Sequence, residues 1–245
     1  MRKIFFLLLL AATLNTFGQG KTIYSVSWVK PKIGMVTAFE TAWKAHVAKF
    51  HNGDDKRTVF EITSGDRSGC YQFIEGPMSF ADMDAEKANQ SAHDLDYDKT
   101  VAPTLAEESG SYYYQYLDSL SFNTDVLANK SVVTLTYIKG GKMGDYRDEL
   151  KRAVDMNKKI GVPFNNNRYQ QMAAGSAPQM ASVYNLKDGF KQLEMDYFKD
   201  APNFRDSYVK IYGIDAWEAR IKLLDEIVLK TEVYWRKRRA DLSSK

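Results

Sequence analysis

The chain has 245 residues, with 34 Lys and Arg against 31 Asp and Glu, and therefore a formal charge of only +3. A charge this close to neutral offers little attraction to a phosphate backbone, which argues against a nucleic-acid-binding protein. Aromatic residues make up 13% of the sequence, so long disordered regions are not expected.

Residues 1–18 have the pattern of a secretory signal peptide. Arg2 and Lys3 precede a short apolar run, which small and polar residues follow. The run is too short to span a bilayer, and no later segment is long and apolar enough to do so. We expect cleavage after Gly18, which lowers the formal charge from +3 to +1 because two basic residues and no acid are removed. The sequence thus predicts an exported protein, periplasmic or extracellular.

The order of elements in the first half of the chain is repeated in the second half. Each half begins with an apolar strand, a basic turn containing glycine and an amphipathic stretch, about 107 residues apart. The first matched pairs are Val26 with Val133, Gly34 with Gly141 and Trp43 with Leu150. Later strands and helices keep their order as the offset grows to 120. Ten extra residues fall between Tyr197 and Glu226, where we expect a longer or split helix.

Each half therefore predicts a β-α-β-β-α-β unit, the ferredoxin-like arrangement. We predict a first repeat at residues 22–118, a linker at 119–130 and a second repeat at 131–237. A four-stranded sheet with both helices on one side leaves its other face open, and two such sheets in one chain can cover each other. The predicted fold is α+β, with the two ferredoxin-like repeats packed sheet to sheet as an intrachain pseudo-dimeric barrel.

This layout resembles the dimeric α/β-barrel superfamily, which includes antibiotic-biosynthesis-monooxygenase-like and NIPSNAP-like domains. The resemblance extends over nearly all of the mature chain but includes no diagnostic catalytic string. It implies either a binding protein or an enzyme similar to the cofactor-independent or haem-using monooxygenases of the superfamily. Pairing within the chain is compatible with a monomer or a homodimer.

Strand alternation predicts polar side chains in the lumen between the two sheets. If the apolar and aromatic side of each strand faces the helices, the opposite side faces the lumen. The ligand-binding residues predicted there are Glu61, Gln72, Arg168, Gln170 and Tyr184. Glu61 and Arg168 are then expected to oppose each other. The alternative is that these groups form a polar seam between the repeats.

His46 and Trp43 are the candidate catalytic residues. On a helical wheel His46 lies in the apolar face of the first helix, beside Trp43. The resemblance suggests proton transfer or haem-iron ligation by His46 and substrate packing by Trp43. The alternative is a core-edge histidine with one hydrogen bond. Because the chain has only three histidines, we predict no His-rich metal site; His51 flanks the helix end and His93 is expected to be exposed.

The sequence lacks HExxH, GxSxG, GxxxxGK[ST] and GxGxxG motifs, so the common hydrolase, nucleotide-binding and zinc-protease functions lose support. The basic run at residues 236–239 follows the last strand and is expected to be solvated. We predict an exported protein that binds a small molecule in the lumen. One alternative is a monooxygenase-like or haem-interacting enzyme with a helix-to-sheet site at His46. A second alternative is a structural or partner-binding module of the cell envelope.

Overall fold

A computed structural model of the chain describes residues 20–52, 55–85, 89–126, 128–173 and 179–245. The predicted signal peptide lies outside these ranges. The strands are β1 (Ile23–Pro31), β2 (Arg57–Ile62), β3 (Tyr71–Met78), β4 (Leu105–Glu108), β5 (Tyr112–Tyr116), β6 (Lys130–Ile138), β7 (Asn167–Ala173), β8 (Gln179–Asn185) and β9 (Val228–Arg238). The helices are α1 (Val36–Phe50), α2 (Phe80–Asp84), α3 (Gln90–Thr100), α4 (Met143–Ile160), α5 (Phe204–Tyr212) and α6 (Ile214–Ile227).

Eight strands form a closed antiparallel barrel. The order around the barrel is β1-β3-β2-β9-β6-β8-β7-β5, and β5 pairs again with β1. The short strand β4 extends the barrel on the same edge of β1 that β5 uses. Closure leaves few unpaired backbone groups at sheet edges, so a barrel of this kind needs no partner strand.

The barrel consists of two four-strand groups with the same internal order. The first group is β5-β1-β3-β2 and the second is β9-β6-β8-β7, each of which places the first and third strands of its half at the centre. Two seams join the groups, β2 to β9 and β5 to β7. The predicted α+β class with an antiparallel barrel is therefore confirmed.

The helices cover the outside of the barrel. In the first group α1 buries Phe39, Trp43 and Val47 against Tyr71 and Phe73 of β3. The i, i+4, i+8 spacing of the three α1 residues gives the helix a continuous apolar stripe, as the sequence predicts. His46, one residue before Val47, is buried on the same helix.

In the second group α4 packs Tyr146 and Leu150 against Ile138 and Met180. The ten extra residues predicted in this half correspond to a split helix, α5 followed by α6. Gly213 separates the two helices with φ +91°, a conformation that favours glycine. None of the helices in the described ranges combines the length and apolar character that a membrane crossing requires.

The facing of the strands differs from the prediction. Val26, Trp28 and Phe60, expected to face the helices, line the barrel lumen instead. The register explains the error, because Trp28 and Phe60 are both cross-strand partners of Gln72 and therefore share its face. Both faces of these strands are covered, one by helices and one by the opposite sheet. Apolar residues therefore occur on both faces, and the alternation of apolar and polar residues does not identify the face that lines the lumen.

Candidate functional site

The barrel encloses a cavity of about 200 Å³. Aromatic side chains from both strand groups line it, together with aliphatic residues of β6 and β8 and a few polar groups. The aromatic residues are Tyr24, Trp28, Phe60, Tyr114, Tyr169 and Tyr234, and the polar ones include Gln72 and Arg236. A mostly apolar cavity with a few converging polar groups is the usual construction of a small-molecule site.

Arg236 of β9 places a guanidinium group inside the barrel wall. The residue is only 7% exposed. Its Nε donates to Ser131 Oγ at 2.8 Å and one Nη donates to Gln72 Oε1 at 2.5 Å. The guanidinium also lies over the Phe60 ring, 4.0 Å from the centroid. These contacts fix the position of the side chain and aim a cation at the cavity.

The Arg236 cation has no carboxylate partner in the part of the chain that the structure describes. Burial lowers the pKa of the guanidinium from its ordinary value, but an arginine remains protonated at neutral pH. A buried charge without a counter-ion is costly, because water no longer solvates it and no opposite charge replaces the water. The cavity therefore presents an uncompensated positive charge.

The lumen also contains a buried donor that has no acceptor among the described residues. The indole Nε1 of Trp28 has no hydrogen-bond partner among the described residues, although Trp28 is only 7% exposed. Arg67 lies over the face of the same indole at 4.4 Å and does not satisfy its N–H group. Buried N–H donors of this kind are normally paired, so an acceptor inside the cavity would satisfy it.

The tyrosines of the lumen are neutral donors or acceptors at physiological pH. Burial raises the pKa of Tyr169 to about 12 and also raises the pKa of Tyr114 and of Tyr234. The Tyr234 hydroxyl accepts from Gln72 Nε2 at 3.1 Å, and the Tyr114 hydroxyl donates to Gln179. The lumen thus offers neutral phenols and one cation, and its described lining contains no carboxylate.

Of the five predicted ligand-binding residues, Gln72 lines the lumen and the other four lie outside the barrel. Glu61 accepts from Arg239 at 3.3 Å on the helix side of β2. Arg168 donates to Ser182 Oγ at 2.7 Å beneath α4 and α6. Their predicted opposition across the lumen is wrong, since both side chains point away from it.

The remaining two residues, Gln170 and Tyr184, also point away from the lumen. Gln170 is the cross-strand partner of Met180, which packs against α4. The Tyr184 hydroxyl accepts from Gln192 Nε2 at 3.1 Å, in a 3-10 turn outside the sheet. Burial raises the pKa of Tyr184 to about 12.

Sequence reasoning missed Arg236 and Trp28. Arg236 opens the basic run that was expected to be solvated, but it continues the alternation of Tyr234 and therefore faces inward. The signal was available, because Tyr234 and Arg236 are two residues apart in a strand. Trp28 was assigned to the opposite face with the other apolar residues of β1.

The predicted catalytic pair lies on the outer face of β3, separated from the lumen by the sheet. Trp43 stacks on Phe73 with ring centroids 4.1 Å apart, and its Nε1 donates to the backbone oxygen of Leu242 at 3.0 Å. His46 lies beside Trp43 as predicted, with ring centroids 5.6 Å apart, and its side chain is fully buried. Whether either residue is catalytic remains a prediction.

His46 has one paired and one unpaired ring nitrogen. Nδ1 is 2.9 Å from Asp96 Oδ2, and Lys49 donates to the other oxygen of that carboxylate at 2.8 Å. Nε2 has no partner among the described residues. Burial holds the pKa of His46 below its ordinary value, and the hydrogen bond to Asp96 opposes that shift.

The surroundings of His46 do not fit haem. Five rings have centroids 4.7 to 5.7 Å from the imidazole, and they leave no open slot for a porphyrin plane beside Nε2. The five rings belong to Trp43, Phe50, His51, His93 and Tyr97. The lumen is also small for a cofactor, because pockets that hold cofactors usually measure about 300–1,000 Å³.

No protein-family model and no curated protein matches the sequence. Solved structures match in fold. An anthrone oxidase-like protein has a TM-score of 0.53 at 13% identity, over 89% of this chain and 93% of that chain. A protein from Lactobacillus acidophilus NCFM proposed to be a monooxygenase has a TM-score of 0.51 at 10% identity, over 91% and 95% of the two chains. A mutant chlorite dismutase from Candidatus Nitrospira defluvii also reaches 0.51, at 6% identity, over 88% and 91%.

The chain shares the overall fold of these proteins. At such low identity the likeness shows the fold alone and does not assign a function. The structural match is extensive, because it covers about nine-tenths of each chain.

Proposed function

We propose that the barrel lumen is the functional site and that it takes a small planar molecule carrying an acidic oxygen, as the substrate of a monooxygenase-like oxidation. The observation that carries the proposal is Arg236, a buried cation without a carboxylate partner in a cavity walled by aromatic rings. The aromatic walls suit a planar molecule, and the indole N–H of Trp28 supplies a second donor for its oxygen.

The chemistry follows from the charge of the lumen. A guanidinium held away from water stabilises the deprotonated form of a phenol or enol and lowers its pKa. Such an anion is electron-rich and can react with dioxygen without a metal or flavin. At an activated CH₂ group the two C–H bonds are replaced by a carbonyl, and dioxygen supplies one oxygen atom to this product and the other to water. Arg236 would hold the anionic oxygen, while Trp28 and the tyrosines position the ring. Two solved structures with this fold are named as an anthrone oxidase-like protein and as a proposed monooxygenase, so oxidation is the class of reaction to test first.

Charge selectivity in binding is the first test. We expect 2-naphthoate to quench tryptophan fluorescence on binding and to bind at least tenfold more tightly than neutral 2-naphthamide. Arg236→Met should remove this preference. Lys237→Met is the matched control, because it removes the same charge from an exposed neighbour in the same strand. Equal binding of the two probes by the unaltered protein would overturn the proposed anion site.

Oxygen uptake tests the enzymatic part. Anthrone, which forms an enolate, is the probe, and an oxygen electrode measures the rate with and without protein. We expect uptake that saturates with anthrone and falls at least tenfold in Arg236→Met. Selective binding of 2-naphthoate without any oxygen uptake would favour the second candidate, a protein that binds a small molecule in the lumen without transforming it.

We also propose that the two strand groups arose by tandem duplication, so that one chain forms what two chains form in a dimeric barrel. The identical strand orders of the groups and the ordered matches between the halves support this origin. The proposed boundaries are residues 22–118 and 131–237. The resemblance to NIPSNAP-like domains belongs to this proposal as well.

Export is a separate proposal that rests on the sequence of residues 1–18. Amino-terminal sequencing of protein recovered from the periplasm or the medium should begin at Gln19. Recovery of the full-length chain from the cytoplasm would contradict export, and with it the alternative of a structural or partner-binding module of the cell envelope.

A further inference from the structure

The three histidines of the chain converge on the outer side of the first strand group. His46 lies on α1, His51 is the residue that ends α1, and His93 lies on α3. The His46 ring is 4.7 Å from that of His93 and 5.3 Å from that of His51, measured between centroids. One ring nitrogen of each residue lies within 4.8 Å of the others.

This convergence contradicts the expectation that His93 is exposed. Its side chain is only 24% exposed, because α3 folds back along α1. The small number of histidines predicts no His-rich metal site, yet all three lie together. His51 is also buried, at 1% exposure. All three imidazoles therefore lie together in a largely buried site.

The hydrogen bonding of the three-histidine cluster is incomplete. His46 Nε2 is buried without a hydrogen-bond partner among the described residues, and such a nitrogen loses its contact with water and gains nothing in return. Neighbouring aromatic rings cannot replace the missing hydrogen bond. An electron-pair acceptor placed between the three rings would satisfy the nitrogen.

Each histidine also has a carboxylate beside its Nδ1. Asp96 is 2.9 Å from His46 Nδ1 and Asp94 is 2.9 Å from His93 Nδ1. Asp55 lies 3.3 Å from His51 Nδ1, but this nitrogen makes no hydrogen bond among the described residues. Histidines that bind metals usually have such a group on the second nitrogen, where it fixes the tautomer and strengthens the ligand. The arrangement leaves Nε2 of His46 and of His93 for an ion, and His51 contributes one of its ring nitrogens to the same group.

We propose that His46, His51 and His93 bind one Zn²⁺ ion. Imidazole suits zinc, and bonds of about 2.0 Å in a tetrahedron require ligand nitrogens about 3.3 Å apart. The present separations, all within 4.8 Å, need only side-chain adjustment to reach this value. The partly exposed His93 provides the entry path. Three protein ligands leave the fourth position for water.

The proposed ion lies apart from the lumen. Trp43 and Phe73 stand between the cluster and the barrel interior, so the ion cannot contact a molecule held by Arg236. It would instead tie α3 to the end of α1. The zinc site is therefore independent of the proposed oxidation.

Titration of the tag-free, EDTA-treated chain with ZnCl₂ tests the proposal. We expect one equivalent to bind with micromolar or tighter affinity and to raise the melting temperature by several degrees. His93→Ala should weaken binding at least tenfold and, being partly exposed, should still fold. Asp94→Asn should weaken binding about tenfold because it removes a carboxylate that orients a ligand. Asp98→Asn, an exposed acid on the same helix, should change nothing.

Cobalt gives a second readout that does not depend on stability. Co²⁺ in a four-coordinate site should produce intense visible bands that His93→Ala abolishes. Zinc binding only at millimolar concentration, or binding of both ions that His93→Ala leaves unchanged, would overturn the proposal.

Discussion

At the scale of the residue, Arg236 is expected to destabilise the fold while it provides the charge that the proposed site needs. Among the described residues, its buried guanidinium has Ser131 and Gln72 as its only hydrogen-bond partners, and neither is charged. Replacing buried ionic groups by apolar residues of similar volume is often neutral or stabilising. A protein that keeps such a cation in its interior retains it at the expense of stability, as is common at binding sites.

We therefore predict that Arg236→Met leaves the free energy of unfolding unchanged or raises it by about 1 kcal/mol, even though binding of 2-naphthoate is lost. Urea denaturation measures this value. A loss of about 3 kcal/mol would show instead that the guanidinium is needed to organise the barrel wall, since leaving a buried hydrogen-bond partner unsatisfied costs about 1–3 kcal/mol.

We expect the stability of the fold to depend on pH through Glu40, which lies on the side of β3 that is opposite to the lumen. The hydrogen bond from Arg239 is the main cause that lowers the pKa of Glu40 from 4.5, helped by the Tyr71 hydroxyl, which donates at 2.6 Å. A carboxylate with a depressed folded pKa stabilises the protein above its unfolded pKa, near 4.5. That stabilisation disappears as pH falls through the lower folded value.

Glu40→Gln should accordingly lower the melting temperature at pH 7 by about 2–4 °C, which corresponds to about 1 kcal/mol in a chain of this size. The difference from the unaltered protein should shrink below pH 4.5 and be absent once Glu40 is protonated in the folded state. Glu107→Gln is the control, because its pair with Lys30 is exposed and 3.8 Å long. An effect of Glu40→Gln that is equal at pH 7 and pH 3 would contradict the assignment.

The direction in which individual side chains point was the feature of this molecule that the sequence predicted least well. The sequence identified Gln72 as a lumen residue but placed Glu61 beside it, although the two belong to opposite faces. A strand covered on both sides has apolar residues on both, so pattern alone cannot choose the lumen face. The same ambiguity concealed Trp28. The histidine cluster was hidden because the approach of α3 to α1 is a long-range event that local periodicity does not encode.

At the scale of the element, the segment after β9 serves as a strap across the first strand group. Leu242 is 2% exposed and belongs to the core between α1 and β3. Its backbone oxygen accepts from Trp43 Nε1, and the neighbouring Ser243 Oγ accepts from the backbone N–H of Val59 at 3.0 Å. A segment from the end of the second half thereby completes the core of the first.

Leu242→Ala should reduce the free energy of unfolding by about 2–3 kcal/mol, because it leaves a cavity beside Trp43 in a packed core. Leu229→Ala, at a position that is 61% exposed in β9, should change it by less than about 0.5 kcal/mol. Chemical denaturation of the two variants side by side measures the difference. Equal effects would mean that the strap does not contribute to the core.

Helices and strands were more predictable than the strap. The apolar stripe of α1 and the division of the last helical region into α5 and α6 both follow from local pattern. The C-terminal residues show no such pattern. Their burial depends on the position of Trp43, which lies almost 200 residues earlier in the chain.

At the scale of the whole molecule, two short seams hold the strand groups together. The β2–β9 seam pairs three residues with three, including Ile62 with Arg236, and the β5–β7 seam pairs Tyr113 to Tyr116 with β7. Most of the apolar lumen lies between the groups. Either group alone would expose lumen residues such as Val133 and Leu135, which are each 2% exposed in the barrel.

Dividing the chain between residues 126 and 128 tests this interdependence. We expect fragments 20–126 and 128–245 to assemble into a one-to-one complex when co-expressed, and each alone to aggregate, since apolar area of this size is not tolerated in water. Size-exclusion chromatography and circular dichroism measure the outcome. A second fragment ending at residue 239 should assemble more weakly, because it lacks the strap that reaches Trp43. A soluble monomer of either fragment that unfolds cooperatively would show that the half is a self-sufficient domain, and that closure of the barrel is not what stabilises it.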